Sequence, residues 1–191
     1  MPPVEITETI LVTSRVQWRE WLQENHQTKR EIWLLTHKPV TDKPRISYLA
    51  SVEEALCFGW IDGIAKSLDA ETRAQRFTPR RPKSHWTELN KERARRLIAQ
   101  GLMTERGFTT LPDLAIEAFV IPQDILDALQ AEPQLWAYFE AFPPLYQRIR
   151  IAHIDEQRRD VAEFNKRLDK FIQYTRENKL FGQWEDAEDT E

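Results

Sequence analysis

The sequence has a single cysteine, Cys57, and only five glycines in 191 residues. One cysteine forms no internal disulfide and builds no cysteine-based zinc site. The glycines form no phosphate-binding loop, dinucleotide fingerprint or nucleophile elbow. The four histidines are scattered, and no pair of them has metal-ligand spacing. The sequence therefore lacks the common motifs of catalysis and metal binding, and we predict no cofactor.

Long apolar runs are also missing. No window approaches the roughly 18 apolar residues of a membrane span, and the opening MPPVEITETI has neither the basic nor the apolar region of a secretory signal. We therefore expect a cytoplasmic protein that inserts into no membrane. The net charge is −4, and the five acids of residues 184–191 more than account for it. The overall charge consequently neither favours nor excludes an anionic partner.

The hydrophobic content is high enough for a substantial core, at 41% of the chain with seven Trp and nine Phe. Three segments of the N-terminal half have the composition of strands, and they cover residues 31–37, 60–68 and 73–78. The turn-like residues 69–72 join the last two, so we predict an antiparallel hairpin with the first strand beside it. Pro79 and Pro82 end the last strand.

Helical patterns occupy most of the remaining chain. In the N-terminal half they cover residues 14–27, 52–58 with Ser51 as N-cap, and 86–100. Beyond Pro122 four helical segments follow, at residues 123–130, 133–141, 144 to about 154, and 161–178. This layout predicts an α+β fold, in which a small antiparallel sheet of about three strands packs with helices and an all-helical C-terminal half follows.

The same layout predicts the domain organisation. We expect residues 1–120 to form an α+β domain that carries the candidate site, and residues 121–183 to form a helical subdomain packed on it. Residues 184–191 are expected to be a disordered acidic tail.

The first candidate site is the helix-to-strand corner at residues 55–63. On the strand after Gly59, Trp60 and Asp62 share one face. An acid beside an indole can bind an amine, a guanidinium or a base edge. The alternative is that Trp60 belongs to the core and Asp62 pairs with a structural arginine. Cys57 lies in an apolar run and is predicted to be a small buried hydrophobe rather than a catalytic thiolate.

The second candidate is the basic run of residues 73–86, RAQRFTPRRPKSHW, which has no acid between residues 73 and 83. Rigid prolines separate its charges, Thr78 and Ser84 add hydroxyls, and a helix is predicted to begin near Trp86. Cations, hydroxyls and free amides at a helix start bind phosphate or carboxylate groups. The alternative is a solvated loop whose charges pair with acids elsewhere. The five cationic residues are Arg73, Arg76, Arg80, Arg81 and Lys83.

The third candidate is Asn90, which shares a predicted helix face with Trp86, Ala94 and Leu97. A face with such apolar neighbours turns inward, and a buried amide without a hydrogen bond costs roughly 1–3 kcal/mol. Asn90 is therefore expected either to tie down the basic run or to contact a ligand.

These segments together resemble the YdeI/OmpD-associated family (OmdA), also described as bacteriocin-protection proteins. In the N-terminal half the resemblance rests on residues 54–62 (EALCFGWID), 76–80 (RFTPR), 83–84 with Trp86, 90–93 (NKER) and 101–103. In the C-terminal half it rests on residues 141–148 (AFPPLYQR), 170–179 and 181–182. It covers nearly the whole chain apart from the first residues and the acidic tail. The resemblance implies a role in protection against bacteriocins or cationic peptides and association with an outer-membrane porin, and it implies no particular reaction, cofactor or catalytic residue.

The sequence favours a module that binds a small anionic ligand bearing a phosphate or a carboxylate. Nucleic acid is a less favoured partner, because the whole chain is acidic and its basic run is short. A second hypothesis is an enzyme with Asp62 as general acid or base, in a pocket shared with Trp60, Arg76 and Trp86. A third is an accessory that docks an unidentified protein through the helical half and the tail.

The favoured hypothesis requires the basic run to fold against the Trp60–Asp62 corner and line a shared hollow with it. The predicted ligand-binding residues are Trp60, Asp62, Arg73, Arg76, Thr78, Arg80, Lys83, Ser84, Trp86 and Asn90.

Overall fold

The computed structural model describes residues 4–184, which form two compact units. The first unit contains the described residues up to Ser84 together with Arg93–Pro112. The second contains His85–Glu92 and the described residues from Asp113 onward. The division at residue 120 stays a prediction, and the acidic tail lies outside the described residues except for Trp184.

The first unit is built on a four-stranded sheet whose strands are β1 (Thr9–Leu11), β2 (Ile32–His37), β3 (Trp60–Ser67) and β4 (Thr72–Pro79). Their order in the sheet is β1-β2-β4-β3. The predicted hairpin is confirmed, because β3 and β4 pair antiparallel, and β2 lies beside β4. The predicted count of three strands is wrong. The additional strand β1 runs parallel to β2, so the sheet is mixed, and at three residues it is too short to show a period-two pattern.

Four helices accompany the sheet: α1 (Arg15–Asn25), α2 (Tyr48–Cys57), α3 (Glu88–Ala99) and α4 (Glu105–Phe108). Helix α2 begins earlier than predicted, because Ser47 rather than Ser51 is its N-cap, and the Ser47 hydroxyl accepts a hydrogen bond from the Ala50 amide at 3.0 Å. Helix α3 begins at Glu88, so Trp86 precedes it. The start of α3 belongs to the second unit and its remainder to the first.

Indole and phenyl rings fill the core between α1 and the sheet. Trp18 stacks on Trp21 at 5.3 Å between ring centroids and lies 5.2 Å from Phe77 of β4. Trp21 meets Trp60 edge to face at 5.8 Å. The face of the sheet that carries Phe77 and Trp60 is therefore the face that α1 covers.

The second unit is helical in the C-terminal half, as predicted. Its helices are α5 (Gln123–Gln130), α6 (Pro133–Ala141), α7 (Pro144–Asp155) and α8 (Val161–Arg176). Their core includes Ile125, Phe139, Tyr146, Ile151 and Phe171, all at most 1% exposed. The α+β fold class is thereby confirmed. Among residues 4–184, no helix has the length and apolar character that crossing a membrane requires.

Candidate functional site

The alternation of strand β4 separates the predicted basic residues onto two faces of the sheet. Arg73 shares a face with Gln75 and Phe77, whereas Arg76 and Thr78 point to the opposite face. Arg76 pairs there with Glu31, with Nε 2.9 Å from a Glu31 carboxylate oxygen. Hydrogen bonds from Thr7 and Arg76 lower the pKa of Glu31. The structure therefore does not bring Arg76 and Thr78 together with Arg73.

Arg80, at the end of β4, is 3% exposed, and its Nη1 donates to the Ser84 hydroxyl at 3.3 Å. Burial lowers the pKa of Arg80 to about 10, while the charge of Asp62 acts in the opposite direction. The backbone of Lys83 is left-handed, with φ of 59°, and its side chain is exposed. These residues form a local turn in which Arg80 and Ser84 are in contact.

At the predicted corner, Trp60 and Asp62 have different surroundings. Trp60 is 1% exposed, and its Nε1 donates to the carbonyl of His26 at 3.2 Å, so it is a core residue. Asp62 is half-buried and accepts a hydrogen bond from the Tyr48 hydroxyl at 2.7 Å. Burial and Asp62 together raise the pKa of Tyr48 to about 12. Trp60 therefore belongs to the core, and Asp62 is a hydrogen-bond partner of Tyr48.

Trp86 and Asn90 belong to the second unit. Trp86 is buried, and Asn90 is half-buried in the first turn of α3, where its backbone amide donates to the Thr87 hydroxyl at 3.2 Å.

A pocket of about 280 Å³ lies in the first unit where β2, β4 and the start of α2 meet. Arg73 is the one residue of the predicted binding set in its described lining. Two further cations, Lys38 and Arg45, line the same pocket, and no described lining residue is an acid. The other polar lining residues are Thr36, His37, Ser47, Tyr48, Ser51 and Gln75.

Contacts with neutral groups hold two of the pocket cations in place. The Arg73 guanidinium donates to the Gln75 side-chain carbonyl at 3.0 Å and lies 5.8 Å from the centroid of the Tyr48 ring. Gln75 is in turn fixed by donating to the Gly63 carbonyl at 2.7 Å. The Lys38 ammonium donates to the Ser67 hydroxyl at 2.6 Å. None of these contacts neutralises a positive charge.

Two more features describe the polar surroundings of this pocket. The ten-residue helix α2 begins there, and the amide dipoles of a helix place partial positive charge at its N-terminus. The Nδ1 atom of the lining residue His37 is buried and has no hydrogen-bond partner among the residues that the structure describes. The start of α2 therefore adds partial positive charge to the pocket.

The sequence interpretation missed Lys38, Arg45, Tyr48 and Gln75. The loop after β2 carries three cations and one acid between residues 38 and 46, and this excess was the available signal. This loop lies near Arg73 because β2 pairs with β4, with Thr36 opposite Arg73. In the described part of the chain, no cluster of three or more His, Cys, Asp or Glu residues has a metal-binding arrangement.

Fold and pocket together define an α+β protein with a cationic pocket beside a mixed sheet. Residues 10–110 match the family model described as a domain of unknown function (DUF8412), and residues 118–178 match the model described as bacteriocin-protection, YdeI or OmpD-associated (OmdA). The chain belongs to the DUF8412 family, whose model covers more than half of its length. Residues 118–178 match the model of the OmdA family that the sequence motifs resemble. No curated protein and no solved structure matches it.

The two family matches divide the motifs on which the resemblance rests. The N-terminal motifs up to residue 103 lie within the DUF8412 match, and residues 141–148 lie within the OmdA match. All the described residues that line the cationic pocket lie between residues 34 and 75. The pocket is therefore a feature of the DUF8412 segment.

Proposed function

We propose that the first unit binds a small ligand through a phosphate or carboxylate group in the pocket formed by Lys38, Arg45, Arg73 and Tyr48. The observation that carries the proposal is the convergence of three cations on one pocket whose described lining contains no acid. Hydrogen bonds between a guanidinium or ammonium and an oxyanion are roughly twice as strong as neutral ones. An anion therefore gains from this pocket what a neutral or cationic ligand does not.

The size of the pocket supports a small ligand over nucleic acid. Its volume of about 280 Å³ is just below the roughly 300–1,000 Å³ typical of sites for drug-sized molecules. Single-stranded nucleic acid needs an extended basic groove with aromatic faces for stacking, and Trp60 is in the core. A phosphate, a small sugar phosphate or a small carboxylate matches these dimensions.

The side chains around Arg73 support a preorganised site. Gln75 holds the Arg73 guanidinium from one side and the Tyr48 ring lies against it, while Asp62 accepts the Tyr48 hydroxyl hydrogen bond. A side chain that is fixed before binding loses less conformational entropy when the ligand arrives. In this proposal Arg73 contacts the anion and Asp62 is a positioning residue.

A thermal-shift screen of nucleotides, sugar phosphates and carboxylates at constant ionic strength tests the proposal. A ligand at a hundred times its dissociation constant adds about 2.7 kcal/mol to the unfolding free energy. We expect Arg73→Gln or Arg45→Gln to lower the affinity for the stabilising compound by roughly ten- to a hundredfold, because each removes a charged hydrogen bond worth about 1.5–3 kcal/mol.

The matched control is Arg30→Gln, which removes the same charge from an exposed arginine of the first unit that does not line the pocket. It is expected to bind like the wild type. A screen without any stabilising anion, or an equal response of wild type and Arg73→Gln, would contradict the proposal.

The description of the OmdA family extends the proposal to the cell. We propose that the chain contributes to protection against bacteriocins or other antimicrobial peptides, and that this protection requires the occupied pocket. Expression of the wild type or of Arg30→Gln in a sensitive bacterial strain is expected to raise the inhibitory peptide concentration, and expression of Arg73→Gln is not. Equal protection by all three chains would show that protection does not require the pocket. If none of the three protects the strain, the proposed role in resistance is wrong.

A further inference from the structure

Helix α7 of the second unit carries a buried arginine, Arg150, that is 8% exposed. Its Nη2 donates to the Gln183 carbonyl at 2.8 Å, and its guanidinium carbon lies 5.6 Å from the centroid of the Tyr146 ring and 5.3 Å from that of Phe181. Its Nε is buried and has no hydrogen-bond partner within residues 4–184. Burial lowers the pKa of Arg150, with Tyr146 acting against it.

A buried arginine is normally paired with a carboxylate, because desolvating an unpaired charge is costly. Around Arg150 the described contacts are two aromatic rings and one carbonyl. These groups offset part of the desolvation cost but leave the positive charge in place. A buried cation with these neighbours is suited to an anion that comes from outside the described residues.

A cavity of about 210 Å³ opens beside Arg150, and its lining is strongly basic. The charged side chains around it are Arg150, Lys166, Arg167 and Lys170, with one acid, Glu163. Two of these cations already engage the acid: the Glu163 carboxylate lies 2.9 Å from Arg167 Nε and 3.3 Å from Lys166 Nζ. Both contacts lower the pKa of Glu163.

The two cations that the acid does not engage, Arg150 and Lys170, lie against the same aromatic ring. Lys170 Nζ is 5.0 Å from the centroid of the Phe181 ring, and the Arg150 guanidinium carbon is 5.3 Å from it. Lys170 is exposed whereas Arg150 is buried. One buried and one exposed cation therefore line the same cavity and lie near the same aromatic ring.

We propose that this cavity is a second anion-binding site, in which Arg150 and Lys170 hold the phosphate, sulfate or carboxylate group of a small ligand. The cavity is below the range for drug-sized molecules, so it has room for a small ligand only. Phe171 and Phe181 form its apolar wall and accommodate a short hydrocarbon portion. This site lies in the second unit and does not depend on the pocket of the first.

The carboxylates that could compete are the five acids of residues 185–191, which follow Gln183 and Trp184 in the sequence. A free anion and a carboxylate of the same chain would use the same chemistry. A full-length variant with these five acids replaced by their amides distinguishes the two sources. If the acids compete, the variant binds free phosphate more tightly than the wild type, and if they do not, it binds equally well.

The test is a titration with inorganic phosphate at constant ionic strength, followed by two-dimensional ¹⁵N NMR. We expect the Nε–Hε signal of Arg150 and the amide signals of Lys170 and Phe181 to shift in the wild type, in the amide variant, or in both. Lys170→Gln and Arg150→Met are expected to weaken this binding by about tenfold or more, since each removes a charge-assisted hydrogen bond.

Arg159→Gln is the matched control, because Arg159 is an exposed arginine of the same unit and does not line the cavity. Lys170 is exposed, so Lys170→Gln is not expected to disturb folding, whereas Arg150→Met changes a buried residue. Absence of phosphate-dependent shifts at these residues in both full-length chains would overturn the inference. Unchanged binding in both Lys170→Gln and Arg150→Met would overturn it as well.

Discussion

At the scale of single residues, burial explains why Cys57 is not a reactive centre. Cys57 ends helix α2 and is wholly inaccessible to solvent. Burial, with Glu54 as a smaller contribution, raises the pKa of its thiol to about 11, although Arg19 acts against the shift. The thiolate is the nucleophilic form of cysteine, and little of it forms at neutral pH. The prediction of a small buried hydrophobe agrees with this environment.

His153 gives the second unit a pH dependence with a defined sign. The ring is exposed, but desolvation by the side chains around it lowers its pKa, and the positive charges of Arg167 and Arg150 lower it further, against the opposing effect of Glu156 and Glu163. The unfolded chain therefore takes up a proton near pH 6.5, where the folded chain does not yet do so. The contribution of His153 to stability is complete above that pH and is lost as the pH falls towards the lower folded pKa.

Urea unfolding at pH 7.5 and at pH 5.5 measures this contribution, with fluorescence and circular dichroism as probes. The wild type is expected to lose more unfolding free energy between the two pH values than His153→Gln, which cannot take up the proton. An equal loss in the two chains would show that His153 titrates alike in the folded and unfolded states.

At the scale of secondary-structure elements, the short helix α4 packs on the end of α2 through a glycine. A Cβ atom at Gly107 would overlap the Cys57 carbonyl oxygen and the Met103 sulfur. The Thr104 hydroxyl connects the same elements, because it donates to the Cys57 carbonyl at 2.6 Å and accepts from the Gly107 amide at 3.2 Å. The close approach of the two backbones therefore requires glycine at position 107.

We predict that Gly107→Ala lowers the unfolding free energy by about 1–3 kcal/mol, the usual range for overpacking. Gly101→Ala is the comparison, since Gly101 has φ of 69° and nothing within 4 Å of a Cβ. It is expected to cost about 1 kcal/mol from backbone strain alone. Urea denaturation of both variants tests this, and a Gly107→Ala protein as stable as the wild type would contradict the tight packing.

The elements that could be predicted from sequence are those with a strong local pattern. The hairpin of β3 and β4 has strand composition on both sides of a polar turn, and α5 and α6 begin and end at the predicted residues. The predicted start of α2 at Ser51 is wrong, because Ser51 lies buried inside a helix that begins after Ser47. Strand β1 was missed because its pairing with β2 is long-range.

The candidate site was predictable only in part, for a related physical reason. Composition identified a basic run but could not show that Glu31, 45 residues away from Arg76 in sequence, binds that arginine on the other face of the sheet. Lys38 and Arg45 lie in the same pocket as Arg73 because β2 pairs with β4. No local sequence pattern encodes this order of strands. Of the predicted set, Arg73 lines the pocket and Asp62 contacts its Tyr48, whereas Trp60 is a core residue.

At the scale of the whole molecule, a chain of net charge −4 carries a cationic cavity in each of its two units. Local arrangement rather than total charge therefore decides which ligands are attracted, because charges separated by more than about 8–10 Å are largely screened at physiological salt. The two cavities lie in different family segments. The first pocket lies in the DUF8412 segment, and most of the residues that line the second cavity lie in the OmdA segment.

Anomalous diffraction from crystals soaked in selenate directly locates an anion in the pocket between Lys38, Arg45 and Arg73. If the pocket binds an anion as proposed, a selenium peak is expected within hydrogen-bonding reach of the Arg73 guanidinium in the wild type and in Arg30→Gln, and none there in Arg73→Gln. Wild-type crystals whose pocket remains accessible to solvent and shows no selenium peak would contradict it.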